Sequence, residues 1–175
     1  MRAFGLEVEF RFEVSGASGG GKLASELVLR GCPLVSDDVL FVRRDGAGFM
    51  AQPGPPLMNL PVERLEALGS GVSLVPLARF GDEVWVEVEH AAADELPLDS
   101  LWLLERSDGL DTAAVRIPAS PLPLMAHTLV MGNREDRDRY LFELLGDVVK
   151  AVPMYRLTAG LEAGPEMLAD IVERT

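Results

Sequence analysis

The chain has one cysteine, Cys32, in 175 residues. No internal disulfide can form, and the residue reads as a small buried side chain of a reducing compartment. Histidine is nearly as scarce. His90 and His127 each lack a cysteine or a second histidine nearby in sequence, so neither belongs to a spaced set of zinc ligands. Positive charge is also in short supply, with 28 acidic against 16 basic residues and a net charge of −12. Such a chain repels phosphate backbones and anionic lipid, which argues against a general nucleic-acid or membrane-surface role. A run of 18 apolar residues is missing, and the opening MRAFGLEVEFRFEV is broken by Arg and Glu. It therefore reads as neither a signal peptide nor a membrane span. Lysine is rarest of all among the charges: Lys22 and Lys150 are the two exceptions in an otherwise arginine-only basic set. What remains is 48% hydrophobic, a normal globular fraction, in a length that suits one ordinary domain. The expectation is a single domain over residues 1–175, soluble and cytoplasmic.

Along the chain, residues 6–14 (LEVEFRFEV) alternate at period 2 and predict a half-buried strand. Residues 15–21 (SGASGGG) read as a loop, and residues 23–30 as a helix that Gly31 stops. Residues 33–42 read as a strand interrupted by Ser36-Asp37-Asp38, followed by a turn over 43–48 at Asp45-Gly46 and a return through 49–51 as a hairpin. Four prolines mark residues 52–61 as a loop, and residues 62–68 suit a short helix. Strands are predicted over 72–77, 83–89 and 101–105. A proline connector spans 118–123, helices 122–130 and 134–150, a last strand 152–157 and a closing helix 165–173. The second of these helices places Tyr140, Leu141, Leu144, Leu145 and Val148 on its inner side, while the mixed charges of residues 133–139 read as a solvated face. Trp85 and Trp102, both on predicted strands, read as core.

Two constellations carry chemistry. Gly16-Ala17-Ser18-Gly19-Gly20-Gly21-Lys22 lies between a predicted strand and a predicted helix and fits most of the phosphate-cradling pattern GxxxxGK[ST]. Glycines let successive amides turn toward one anion, the helix N-terminus adds partial positive charge, and the lysine reaches the terminal phosphates. The position that usually supplies a metal-binding hydroxyl is Leu23. The plainer alternative is a flexible glycine hairpin. The second constellation, Asp37-Asp38, is placed at the end of the strand after the first helix, where a carboxylate pair can hold magnesium and accept a hydroxyl proton. Its plainer alternative is an Asp turn capping a strand.

The segments GASGGGK and LASELVLRGCPLVSDDVLFV together resemble the HPr kinase/phosphorylase family. They are nearer the short HPr-kinase-like proteins found beside ribosomal-peptide biosynthesis genes, including lasso-peptide tail kinases. The likeness extends through PGPPLMNLP, LWLLER and VPMYRL. It implies an α/β fold, with a mixed, partly antiparallel sheet and flanking helices around a P-loop in a phosphoenolpyruvate-carboxykinase-like core. It implies an ATP-dependent serine/threonine kinase acting on a peptide or small-protein hydroxyl, a ribosomal peptide precursor being one candidate, with homo-oligomerisation left open. By the same resemblance Gly16 to Leu23 cradle ATP, Lys22 is catalytic, Asp37 and Asp38 share the roles of base and Mg²⁺ ligand, and Arg79 lies near the nucleotide. The chain departs from the family in passing from Lys22 directly to Leu23, where the family has Ser-Thr. Two residues fewer then separate the lysine from the acidic pair, equivalent to a helix rotation of roughly 200° and a shortening of about 3 Å. The histidine segment and the Glu-Arg-Gly signature of true HPr kinases are also missing, so neither HPr as substrate nor phosphorylase activity is expected. The alternative is a catalytically impaired relative that binds a nucleotide or peptide, and a third reading is a structural or peptide-docking domain whose loop binds no anion.

Overall fold

Short alternating segments separated by glycine and proline turns build several small sheets here rather than one large one. The structure, a computed structural model, describes residues 8–11, 20–37, 39–68, 74–125 and 135–175. The elements are β1 (Val8–Arg11), α1 (Gly20–Leu29), β2 (Val39–Asp45), β3 (Gly48–Gln52), β4 (Leu57–Pro61), α2 (Val62–Leu68), β5 (Leu74–Phe80), β6 (Glu83–Val88), β7 (Leu96–Pro97), β8 (Leu101–Arg106), β9 (Ala113–Ile117), α3 (Leu122–Met125), α4 (Glu135–Ala151), β10 (Met154–Ala159) and α5 (Pro165–Arg174). They form a mixed α/β fold of three sheets, ordered β1-β2-β3-β7, β4-β6-β5 and β8-β10-β9. Pairing between named strands is antiparallel except for β8 with β10.

Three apolar clusters join the layers. The first packs α4, through Leu141, Leu145, Val148 and Val149, against Val42 and Phe49 of the first sheet and Leu101 and Met154 of the third. In the second, Val28 of α1 and the apolar side of α2 cover Met58, Leu60, Val84, Val86 and Val88 of the β4-β6-β5 sheet. The third buries Leu157 and Ala159, on the opposite face of the third sheet, beneath α5, with Leu23 of α1 packed against them. The third sheet therefore lies between α4 and α5, and α1 bridges the second and third clusters.

Several expectations need correction. The anticipated single mixed sheet is three sheets. Residues 33–42 are not one strand: Leu34 makes an isolated parallel bridge to Ala91, and β2 begins only at Val39 and runs on to Asp45. The hairpin is present, its turn tightened to Gly46-Ala47, with Gly46 at φ 57°. The proline loop over 52–61 hides β4, in which Pro61 stands at an edge-strand end where no ladder N–H is needed. β9 and the two-residue β7 were not anticipated, because AAVRI and LP carry too little alternation to read as strands. α1 begins three residues earlier than its periodicity predicts, taking Gly20 and Gly21 out of the loop, and ends where Gly31 adopts φ 94°. Tyr140 is 44% exposed rather than inward, one helical step off the stripe of Leu141, Leu145 and Val148. Cys32 is exposed, in the turn that follows α1. Residues 12–19, Asp38, residues 69–73 and residues 126–134 lie outside the described residues, and with them Gly16, Ala17, Ser18, Gly19 and His127. Among the described residues no helix is long and apolar enough to cross a membrane.

Candidate functional site at the N-terminal end of α1

Gly20, Gly21 and Lys22 form the first turn of α1. Helical geometry leaves the amides of a first turn without intrahelical acceptors, and the macrodipole makes that end partially positive. Lys22 is half-buried, and its Nζ donates to Glu63 Oε1 at 2.8 Å. That bond from the ammonium holds the Glu63 carboxyl below the usual carboxylate range. Glu63 is in the first turn of α2, directly after β4.

The same β4–α2 segment anchors the acidic residue. Asp37 Oδ2 accepts the backbone N–H of Asn59 at 2.7 Å, an amide on the free edge of β4. Asn59 Nδ2 donates to Glu83 Oε2 at 2.8 Å, and Asn59 Oδ1 is buried without a partner among the described residues. One short segment, residues 59–63, thus grips Asp37 through Asn59 and Lys22 through Glu63. The first sheet adds a further constraint. β1 runs antiparallel to β2, and its last residue, Arg11, stands opposite Val39. Asp37 itself precedes β2 instead of ending a strand, which corrects the expected carboxyl-terminal placement.

Leu23 and Ser25 decide what the motif can offer after the lysine. Leu23 is partly buried against the cluster of Leu157, Ala159, Ala163 and Leu168, so the position after the lysine packs on the core. Ser25 is the nearest hydroxyl along α1. It is fully buried, donates to the Lys22 carbonyl at 2.7 Å and accepts Arg64 Nε at 3.3 Å. Among the described residues no group of three His, Cys, Asp or Glu side chains is gathered for a metal.

Arg64 is the residue that sequence reasoning missed. Its guanidinium is 9% exposed and also donates to Glu26 Oε2 at 2.8 Å and Glu166 Oε1 at 3.3 Å. Beside it Arg30 donates to Glu26, Asp170 and Glu173 and to the Glu166 carbonyl. The signal was present in the spacing, since Arg64 lies one turn before the inward Leu68 and next to Leu65 in VERLEAL. Arg79 is on β5, where its Nε donates to the Gly81 carbonyl at 3.0 Å, and it lines a cleft with Val62, Leu65 and Glu66 of α2. His90 is exposed, in the turn after β6. Trp102 is half-buried and stacked on Tyr155 with ring centroids 4.7 Å apart. No family model matches the chain, and neither a curated protein nor a solved structure matches it.

Proposed function

We propose that the chain is an HPr-kinase-like phosphotransferase that holds the phosphates of ATP at the N-terminal end of α1 and transfers one to a peptide or small-protein hydroxyl. The observation that carries this reading is the joint suspension of Lys22 and Asp37 from residues 59–63, at the end of a helix that opens on Gly20-Gly21-Lys22. The donor set suits an anion, because first-turn amides and one ammonium belong to the same helix end, and Glu63 holds the lysine by an exposed contact that phosphate oxygens can replace. In this reading Lys22 neutralises phosphate charge, and Asp37 or Asp38 takes the proton of the attacking hydroxyl. The fit to magnesium is poorer. Leu23 offers no oxygen at the position after the lysine, and among the described residues no group of three ligating side chains gathers for a metal.

That poor fit favours the second reading, a relative that binds nucleotide without turnover. ATP titration by calorimetry, with and without Mg²⁺, beside radiolabel transfer to a serine-bearing peptide, separates the two. Saturable binding with transfer is the expected result for the kinase, and binding without transfer leaves the impaired relative. Loss of more than about tenfold in affinity on Lys22→Ala is expected under both. An unchanged affinity in that variant overturns the phosphate site.

A further inference from the structure

The β4-β6-β5 sheet has one face buried against α1 and α2 and a second face whose outer strand, β5, is exposed. Val84, Val86 and Val88 of β6 point into the cluster beneath α1 and α2, so by strand alternation Glu83, Trp85 and Glu87 point the other way. Registry places Phe80 and Val75 of β5 beside the two glutamates and Asn59 of β4 beside Trp85. Phe80 is 67% exposed and Val75 44% exposed, Glu83 and Glu87 are both exposed, Glu83 with one carboxylate oxygen already on Asn59 Nδ2, and Trp85 is half-buried between them. The result is a strip with an aromatic at its centre, a carboxylate on either side two residues apart, and apolar side chains along the outer strand.

We propose that this strip docks an extended peptide segment carrying arginine or lysine at alternate positions among apolar residues. The chemistry selects for cations: a guanidinium can lie on an indole or phenyl face while a neighbouring carboxylate takes its hydrogen bonds. A period-2 peptide laid along β6 repeats its side chains about every 6.6 Å, the spacing at which Glu83, Trp85 and Glu87 themselves recur. Charge favours such a partner over a second copy of the chain, because a net charge of −12 repels itself and attracts a basic segment. The strip also begins where the candidate site ends. Asn59, one strand spacing of about 4.8 Å from Trp85, is the residue whose amide binds Asp37. The proposal rests on the phosphotransferase reading only in making the docked segment its substrate; the docking chemistry stands on the sheet alone.

The test titrates the full chain against a fluorescent ten-residue peptide alternating arginine and valine, and against its glutamate–valine counterpart, by anisotropy at two salt concentrations. The expected result is salt-sensitive binding of the basic peptide alone, weakened about tenfold in a Glu83→Gln/Glu87→Gln double variant whose melting curve is unchanged. Trp85→Ala is expected to weaken it further, and the double variant keeps the test decisive if that one fails to fold. Equal binding of the acidic peptide, or an affinity untouched in the glutamine variant, overturns the proposal. So does a dimer in sedimentation that Phe80→Ser abolishes, since the strip would then belong to a second copy. ATP titration of the same samples keeps the two readings apart. Peptide binding without nucleotide binding ends the phosphotransferase reading and leaves the strip, whereas nucleotide binding without peptide binding ends the strip alone.

Discussion

The two ends of α1 are built on different principles. At its N-terminal end are two glycines and one lysine, the lysine tied by one exposed contact to Glu63. Four residues along the helix, Glu26 enters a network in which Arg64 and Arg30 reach Ser25, Glu166, Asp170 and Glu173 and clamp α2 and α5 onto the helix. The buried end is saturated with partners and fixes where the helix lies. The open end keeps its donors in contacts that an anion can replace without disturbing the core. Rigidity is thus supplied a turn away from the candidate site.

Removing Arg64 should break this contrast most severely. Arg64→Ala empties a buried position beside Ser25 and Glu26, with Arg30 still bonded to Glu26, so a loss of about 2–4 kcal/mol is expected; urea unfolding should read that loss as a lower midpoint. Leu23→Thr comes next. It restores the hydroxyl after the lysine but withdraws apolar surface from the third cluster, so a loss of about 1–3 kcal/mol is expected, together with a gain of Mg²⁺ dependence in ATP binding if the missing oxygen is what limits the site. The effect of acid should be selective. Glu166 is held below the usual carboxylate range first by its own backbone N–H and then by Arg64, and Asp170 by Arg30. Carboxylates depressed in the folded state contribute stability that is complete above their unfolded pKa of about 4 and is lost as pH falls below it. Hydrogen exchange should therefore show α5, which two such carboxylates tie down, loosening in that acid window ahead of α4, which has one, Asp147 held low by Arg44, beside a core of apolar contacts. The smallest effect is expected at the open end. Glu63→Gln releases Lys22 and should leave stability within about 0.5 kcal/mol while tightening ATP binding about two- to threefold.

Much of the element order was legible in the residues. α2 matches its predicted bounds, and α5 and β6 match within a residue, because EVWVEVE and the proline-led last helix carry clean period and cap signals. The first helix was recognised but begun late, since glycine reads as loop even where it serves as a first turn. β4 was lost to its prolines, although an edge strand tolerates proline at its end. At the candidate site, Lys22, Asp37 and Leu23 were legible as a motif. Asn59, Glu63 and Arg64 were not, because their roles come from partners 22 to 102 residues away in the chain.

By itself the sequence determined what is written in near neighbours: an α/β alternation of short elements, a glycine run ending in a scarce lysine, an acidic composition, and a leucine directly after Lys22. Tertiary structure decided everything that depends on which elements meet. It split the expected sheet into three, put Asp37 before a strand rather than after one, packed Leu23 on the core and turned Cys32 toward solvent. It also hung Lys22 and Asp37 from the same five residues. The physical reason is that periodicity and turn chemistry act over a few residues, whereas burial and pairing are settled by packing between segments that the chain keeps far apart.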